Sequence, residues 1–375
     1  IEERRRLDMV ARPLILEDDR VGRVVAEMWG RLPPDYAWLR GKEDPEVIAH
    51  LKAENAYAEA ATRHLEAFRG KLYKEILSRI KETDESVPYR YRGWWYYERE
   101  VEGLQYPILC RRKGSMESPE EVMLDVNELA KGKAYTGVDF FEVSPDGNYL
   151  AYAGDCTGYR EYTAYVKDLR TGELLADRLE RVDSLAWAAD SRTLFYAQQN
   201  VAKRPDRILR HRLGEPKDAL VWEEKDELFN LGVGATRSGE WVVATSASKD
   251  TSEVRVIPSL QPEAQARLVA RRRTGHEYYV DHRGGEFWIR TNDKGRNFRL
   301  VKAPLADPGP GNWKQVLPHR KAVMLEDVDL FKGFWVATER EDGVPRLRVT
   351  EFATGKHHHI DMPEAVYSTG PGTNE

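Results

Sequence analysis

Three consecutive histidines, His357-His358-His359, are the residues whose type most readily suggests metal binding. Side chains on a β-strand alternate between its two faces, so three adjacent imidazoles do not readily share one ion. We therefore interpret this run as a solvated strand or turn and assign no metal site.

Nucleophilic catalysis is the second chemistry to consider, because nine histidines and many serines and aspartates are present. A Ser-His-Asp triad assembles from distant positions, so spacing alone does not exclude one. The strained strand-to-helix turn of α/β-hydrolases, Gly-x-Ser-x-Gly, occurs nowhere in the sequence. We assign no catalytic residue in this chain.

Other charged or reactive groups point to no cofactor. The basic run Arg271-Arg272-Arg273 is interpreted as a solvated turn, and the glycines near Gly284 and Gly309 lack the phosphate-loop pattern. The two cysteines, Cys110 and Cys156, are too few for a disulfide framework and are interpreted as small buried apolar residues. No cofactor-binding residue is assigned.

Overall charge and hydropathy limit the class of protein. The net charge of -5 gives no support for nucleic-acid or anionic-membrane binding, and no apolar run approaches the roughly 18 residues of a membrane span. With two cysteines and no hydrophobic signal region at the start, the composition predicts a cytoplasmic protein.

The elements that must position any site fall into two parts. Asp44-Pro45-Glu46 is a typical helix start, with an N-cap, a proline at the first position and an acid in the first turn. Apolar residues then recur at helical spacing as far as Ile80, although Gly70 argues against one unbroken helix. This face consists of Val47, Ile48, Leu51, Ala58, Ala61, Leu65, Phe68, Leu72, Ile76 and Ile80.

From about residue 88 the pattern becomes a repeat of polar turns, each followed by a short apolar strand. The turns are marked by residues 92, 146, 190, 238, 284 and 332, at intervals of 54, 44, 48, 46 and 48. Each unit has room for about four short strands, which is the size of a β-propeller blade. An irregular β-sandwich is the alternative, but it would not explain the regular spacing. We count six blades.

A seventh turn should fall at about residue 378 on this spacing. Ala365-Val366-Tyr367-Ser368-Thr369 is accordingly interpreted as the first strand of a truncated seventh blade. A missing neighbour leaves a sheet edge and an apolar blade face uncovered. We expect the isolated chain to associate or aggregate at that point.

Ordered motifs along almost the whole chain resemble the prolyl oligopeptidase family of serine peptidases. Those of the N-terminal arm are Pro34-Asp-Tyr-Ala-Trp-Leu-Arg40, Asp44-Pro-Glu-Val and Leu51-Lys-Ala-Glu-Asn-Ala-Tyr57. The oligopeptidase B branch in particular is resembled by Ser86-Val-Pro88, Gln105-Tyr-Pro-Ile108, Cys110-Arg-Arg-Lys113, Glu121-Val-Met-Leu-Asp125, Val143-Ser-Pro-Asp-Gly147, Val166-Lys-Asp-Leu169, Arg290-Thr-Asn-Asp293, Arg296-Asn-Phe298 and Met324-Leu-Glu-Asp-Val328.

The resemblance implies a seven-bladed propeller that caps an α/β-hydrolase domain carrying a Ser-Asp-His triad. It also implies cleavage of short peptides after Arg or Lys, with the propeller excluding large folded proteins. No family catalytic residue can be transferred to this sequence, so the chain alone is expected to be inactive. Tyr36, Trp38 and Arg40, which lie in the arm outside the repeats, are candidates for docking to the hydrolase domain.

The sequence therefore predicts a mainly β protein with an N-terminal helical arm at 1–87 and an incomplete seven-bladed-type propeller at 88–375. The α/β-hydrolase domain is expected to be absent from the sequence and to be the propeller's partner, normally in the same chain. The expected role is a gating, substrate-filtering propeller of an oligopeptidase acting on short basic peptides. The alternative is a stand-alone, non-enzymatic interaction module. No nucleic-acid, membrane or cofactor interaction is predicted.

Overall fold

The computed structural model describes residues 38–372, which separate into two compact units between Lys81 and Glu82. The first unit is helical and the second consists of β-sheets. Among the described residues, no helix is both long and apolar enough to cross a lipid bilayer.

The helical unit contains α1 (Pro45–Thr62) and α2 (Glu66–Leu77), separated by a 3₁₀ turn at Arg63–Leu65. The predicted start is confirmed, because the Asp44 carboxylate accepts a hydrogen bond of 2.9 Å from the backbone N–H of Glu46.

The expectation that the helix is not continuous is confirmed, but the break lies at Arg63–Leu65 and not at Gly70, which lies inside α2. The regular helix instead ends at Thr62, whose hydroxyl donates a 2.7 Å hydrogen bond to the Ala58 carbonyl. Such a bond back to the preceding turn often bends a helix. A single exposed glycine costs only about 1 kcal/mol in a helix interior, which does not break it.

The predicted apolar helix face is mostly uncovered within this unit. Val47 is buried, whereas Phe68 is 62% and Ile76 is 53% exposed. The other large residues of the face that are exposed are Ile48, Leu51, Leu65, Leu72 and Ile80. Helical spacing therefore identified the face correctly, but the helices do not bury it among themselves.

The second unit contains six antiparallel sheets, here called blades 1 to 6. Blade 1 contains β1 (Asp84–Glu85), β2 (Tyr89–Tyr91), β3 (Trp94–Glu100), β4 (Ile108–Lys113) and β5 (Glu120–Asp125), and is followed by α3 (Val126–Ala130). Blade 2 contains β6 (Gly137–Val143), β7 (Tyr149–Asp155), β8 (Thr163–Asp168) and β9 (Leu174–Glu180). Blade 3 contains β10 (Val182–Trp187), β11 (Thr193–Gln199), β12 (Pro205–Arg212) and β13 (Ala219–Glu223). Blade 4 contains β14 (Asn230–Ala235), β15 (Trp241–Ala247), β16 (Ser252–Pro258) and β17 (Arg267–Ala270). Blade 5 contains β18 (Tyr278–Arg283), β19 (Glu286–Thr291), β20 (Arg299–Pro304) and β21 (Lys314–Leu317), with a 3₁₀ turn at Pro310–Asn312. Blade 6 contains β22 (Val323–Leu330), β23 (Phe334–Glu341), β24 (Val344–Glu351) and β25 (His357–His359).

Blades 2 to 6 are each a simple four-stranded meander, in which every strand pairs with the next one along the chain. In blade 1, both short strands β1 and β2 pair with β3. The marker turns lie between the first and second strands of blades 2 to 6 and between β2 and β3 of blade 1, so the predicted six blades are confirmed. Every pairing among the described strands is antiparallel, so they include no parallel sheet of an α/β-hydrolase domain.

The Ser-Pro-Asp-Gly turn of blade 2 shows why these polar motifs form hairpins. The Ser144 hydroxyl donates to the Asp146 carboxylate at 2.6 Å, and that carboxylate accepts from the backbone N–H of Asn148 at 3.0 Å. Gly147 has φ +77°, a conformation that glycine adopts without strain. Side-chain oxygens thus accept the hydrogen bonds of turn residues whose backbone N–H groups have no partner strand at the reversal.

The core lies between neighbouring blades. On β8 the residues alternate between buried and half-buried, and Val166 packs in one apolar cluster with Trp187 and Leu194 of blade 3. The Trp187 indole also donates a 2.9 Å hydrogen bond to the Glu142 carbonyl of blade 2. Burial of both faces of each blade explains why these strands are so rich in apolar residues.

The predicted strand at Ala365–Thr369 was wrong, because these residues adopt no regular structure. A strand requires a partner for its backbone N–H and C=O groups, and no described strand pairs with this segment. The last strand of the described chain is β25, which forms the outer edge of blade 6.

Candidate functional site

The hairpins between the first and second strands of five blades converge on one cavity of about 800 Å³. Blades 1, 2, 4, 5 and 6 all contribute to its lining, which places it on the central axis of the repeat. A second cavity of about 590 Å³ shares three residues of blade 4 with it, namely Ala235, Thr236 and Arg237. We call the first the mouth cavity and the second the inner cavity.

The mouth cavity combines aromatic walls with basic side chains. Its aromatic lining residues are Tyr89, Tyr91, Tyr96, Phe141 and Phe331. Its basic lining residues are Arg92, Arg237, Arg283 and Lys332. An apolar wall with a few convergent polar groups is typical of a ligand-binding site.

Two arginines reach across the mouth cavity between blades that are not neighbours in sequence. Arg237 of blade 4 forms a 3.2 Å ion pair with Asp329 of blade 6, and its guanidinium lies 4.0 Å from the centre of the Phe331 ring. Arg92 of blade 1 lies against Gly239 of blade 4, where a Cβ atom would collide with the guanidinium. These two side chains therefore narrow the opening.

Carboxylates lie beside these arginines. Burial raises the pKa of Glu142 to about 7, although the nearby Arg92 favours the charged form. Burial also raises the pKa of Asp281, whose carboxylate accepts hydrogen bonds from the backbone N–H groups of Arg237 and His282. Burial and repulsion from nearby carboxylates raise the pKa of Asp329. The inner cavity is lined by Asp281, Asp329 and Asp183, so carboxylates predominate there and basic side chains predominate in the mouth cavity.

A serine and a histidine meet in the mouth cavity, but they form no catalytic triad. The Ser238 hydroxyl lies 2.9 Å from Nδ1 of His282. The Nε2 atom of His282 is buried without a hydrogen-bond partner, and the Asp281 carboxylate contacts the backbone rather than the imidazole. A general base of the triad type needs a third group that orients its ring, and neither cavity provides one.

Two of the three predicted docking residues, Trp38 and Arg40, lie within the described part of the chain. Tyr36 lies outside the described residues. The Trp38 ring makes an edge contact with His50, at 5.1 Å between ring centres, and 38% of Trp38 is exposed. Arg40 is exposed. Docking of this group remains a prediction.

The interpretation of Arg271-Arg272-Arg273 as a solvated turn was wrong for its middle residue. The Arg272 guanidinium forms ion pairs with the buried carboxylates of Glu224 and Glu253 and lies 4.1 Å from the centre of the Phe229 ring. Arg271 and Arg273 are exposed. The middle residue is drawn inward because two buried carboxylates need a cation.

The cysteines divide between two environments. Cys110 is completely buried in blade 1, as predicted, and burial raises the pKa of its thiol to about 11. Cys156 is exposed, so its predicted burial was wrong. It follows the end of β7, where the chain leaves the sheet.

The histidine run forms β25, the exposed edge strand of blade 6. Alternation along the strand puts His358 on the opposite face from His357 and His359. The imidazole of His359 lies 3.6 Å from the Glu339 carboxylate. Within residues 38–372, no group of three or more metal-ligating side chains is assembled.

Six consecutive antiparallel sheets, one of five strands and five of four strands, with one cavity lined by five of them, define a β-propeller. The family described as "Prolyl oligopeptidase, N-terminal beta-propeller domain" matches residues 20–374. The chain therefore belongs to the prolyl oligopeptidase family, of which it contains the propeller domain.

Relatives and solved structures agree with this assignment. The chain is 41% identical to dipeptidyl aminopeptidase BI of Pseudoxanthomonas mexicana, over 91% of this chain and 50% of that protein. It is 33% identical to protease 2 of Moraxella lacunata, over 89% of this chain and 49% of that protein. The structure of oligopeptidase B from Leishmania major superimposes with a TM-score of 0.82 at 28% identity, covering 88% of this chain and 49% of that one. The chain spans about half the length of these proteins.

The mouth cavity itself was not predicted from sequence. Four of the six marker residues that revealed the repeat line it, so a signal for it was present. Turns at the same position of every blade must lie at the same end of a propeller. Charged and aromatic residues in those turns are therefore candidates for lining the axis.

Proposed function

We propose that this chain is the gating, substrate-filtering propeller of a serine oligopeptidase that hydrolyses short peptides after Arg or Lys. Residues 1–87 would form the arm that docks to an α/β-hydrolase domain of the same protein, and residues 88–375 the propeller. The observation that carries the proposal is the mouth cavity, which is lined by hairpins from five blades and crossed by Arg92 and Arg237. A cavity of about 800 Å³ can hold a short peptide but not a folded domain.

The arm has surface features that suit docking. Trp38 and a row of apolar side chains on α1 and α2 are exposed, including Phe68 and Ile76. Exposed apolar patches of this kind are typical of protein interfaces. We propose a cytoplasmic location, which fits two unpaired cysteines of which one is exposed.

Specificity for Arg or Lys is supported by the resemblance to oligopeptidase B and by the three aspartates that line the inner cavity. A relative named dipeptidyl aminopeptidase suggests a different mode, the removal of dipeptides from an N-terminus. The two modes are distinguished by assaying fluorogenic peptides with a blocked N-terminus against peptides with a free one. Cleavage of blocked peptides after Arg or Lys supports the proposal, and cleavage of free N-terminal dipeptides alone contradicts it.

The filtering role is tested by narrowing the channel in the full-length protein. Ala235 is exposed and lines both cavities, so Ala235→Trp should obstruct the passage. Ala219 is equally exposed but lies on β13, the outer strand of blade 3, so Ala219→Trp is the matched control. The first variant should lower kcat/KM for long peptides more than for dipeptide-sized reporters, and the control should not. Equal effects of both variants at every peptide length would exclude filtering through this channel.

The coding sequence beyond Glu375 offers a simpler test. A continuing reading frame that encodes a Gly-x-Ser-x-Gly nucleophile turn supports the proposal. A stop codon directly after Glu375 would contradict it and favour a binding module.

A further inference from the structure

The charges lining the mouth cavity do not balance. Four basic side chains line it, against two carboxylates, Glu142 and Glu240. Glu142 carries its charge only in part at neutral pH, because burial raises its pKa to about 7. Glu240 is exposed to water at the hairpin of blade 4, where solvent weakens its effect. The cavity therefore has an excess of positive charge.

The four cations differ in how far they are already engaged. Arg237 forms its ion pair with Asp329, and Arg92 lies against blade 4. Arg283 lies 3.5 Å from the centre of the Phe352 ring and uses one Nη2–H to donate a 2.9 Å hydrogen bond to the Lys332 carbonyl. Its remaining donors make no ion pair with any described carboxylate.

Lys332 completes a pair of cations at the rim. Its side chain is exposed, and its ammonium has no hydrogen-bond or ion-pair partner among the described residues. The bond between Arg283 and the Lys332 main chain holds the two residues beside each other, across the gap between blades 5 and 6. Both side chains line the mouth cavity, and a planar guanidinium and an ammonium on neighbouring residues are suited to a carboxylate that accepts from both.

The aromatic walls of the mouth cavity indicate what the rest of a ligand that carries this carboxylate should be. Phe331 and Phe334 stack at 4.8 Å between ring centres, and Tyr89 and Tyr96 stack at 5.4 Å. Of these, Phe331, Tyr89 and Tyr96 line the mouth cavity. Its volume of about 800 Å³ is within the range of sites that bury a small ligand. Apolar side chains of a short peptide would pack against these rings.

We infer that the mouth cavity binds short peptides by their C-terminal carboxylate, which is held by Arg283 and Lys332, with the last side chains packed against the aromatic walls. This deepens the proposed function, because it sets the direction in which a peptide lies in the channel. It rests on the proposal that peptides reach the channel. Its test measures binding rather than cleavage, so the two proposals fail separately.

The probe is N-acetyl-Leu-Phe with a free C-terminal carboxylate, titrated into the whole chain by isothermal titration calorimetry at low ionic strength. The same peptide with a C-terminal amide removes only the charge. The free acid should bind at least about tenfold more tightly, since hydrogen bonds to charged groups are worth roughly that much. Its affinity should fall as salt is added.

The matched variants are Lys332→Gln and Lys356→Gln. Both lysines are exposed on blade 6, but only Lys332 lines the cavity. Lys332→Gln should weaken binding of the free acid severalfold and leave binding of the amide unchanged, whereas Lys356→Gln should change neither. Arg283→Met should abolish the preference for the acid, with a thermal melt to show that the variant is folded.

The inference would be overturned if the free-acid and amide peptides bound with equal affinity, or if Lys332→Gln left the affinity for the free acid unchanged. It would also be overturned if the free acid did not bind at a concentration of about 10 mM, because a dissociation constant above this value is too weak for a specific site. Each can be obtained with correctly folded protein, because Lys332 is exposed and its side chain stabilises nothing else in the described structure.

Discussion

Arg272 provides the sharpest test of how the blades are held together. It follows β17 and reaches Glu224 in the connection from blade 3 to blade 4, as well as Glu253 on β16 of blade 4. We predict that Arg272→Met strongly destabilises the protein, while the neighbouring Arg271→Met does not. Methionine keeps most of the apolar stem and removes the charge.

The magnitude follows from what the carboxylates would lose. Glu224 is only 7% and Glu253 only 8% exposed, so water does not replace the guanidinium. Removing one partner of a buried ion pair typically costs about 3–5 kcal/mol. Glu224 keeps a 2.7 Å hydrogen bond from the Ser246 hydroxyl, which places the expected loss near the lower end, at about 3 kcal/mol.

The assay is thermal unfolding of both variants and the parent, followed by circular dichroism. For a unit of this size, a loss of 3 kcal/mol corresponds to a fall in Tm of roughly 5 °C. Arg271 is exposed and has no partner among the described residues, so Arg271→Met should stay within about 0.5 kcal/mol of the parent.

The pH dependence gives an independent check. Burial alone would raise the pKa of Glu224, but hydrogen bonds from Arg272 and Ser246 hold it below its usual range. In the parent this carboxylate stabilises the fold at neutral pH and loses that effect as acid protonates it. In Arg272→Met the pKa should rise, so the penalty should be largest near pH 8 and smaller near pH 5. Equal melting of the Arg271 and Arg272 variants, or a penalty independent of pH, would refute the reasoning.

Three further predictions concern other single residues. Burial raises the pKa of Glu142 from 4.5 to about 7, so the parent protein should lose stability as the pH rises between these values. Glu142→Gln should therefore raise Tm at pH 8 but not at pH 4, and equal shifts of Tm at both pH values would contradict this. His211 contacts carboxylates through both ring nitrogens, at 2.7 and 2.8 Å. His211→Gln should therefore lower the free energy of unfolding, measured in urea, by about 2–3 kcal/mol, whereas His358→Gln, at an exposed position, should leave it unchanged. A thiol reagent should modify Cys156 rapidly in the native protein and Cys110 only after denaturation, and two rapid reactions would show that blade 1 opens.

The repeat and the start of the helical arm could be predicted from sequence because both depend on local chemistry. The turn at Ser144 to Gly147 closes through its own side chains, and the cap at Asp44 needs only the next two residues. Such signals do not depend on what lies across the fold. Strand spacing then followed from the regular recurrence of the turns.

Predictions failed where distant residues decide the outcome. Arg272 belongs to a run that indicates a solvated turn, but Glu224 and Glu253 lie 48 and 19 residues earlier in the chain. Glu253 becomes its neighbour when β16 pairs with β17, and Glu224 when blade 4 packs beside blade 3. The segment at Ala365–Thr369 has the composition of a strand, but strand formation requires a paired neighbour. Composition does not show whether a neighbour is present.

The amino-acid sequence by itself determined the blade repeat, the helical arm and the family, because turn chemistry and residue order are local properties. Only the tertiary structure brought Arg237 to Asp329 and Arg283 beside Lys332, since these residues come from different blades. The physical reason is that a propeller closes its repeats around an axis. Residues about one repeat or more apart in the chain then meet at distances where charge and burial decide what the site binds.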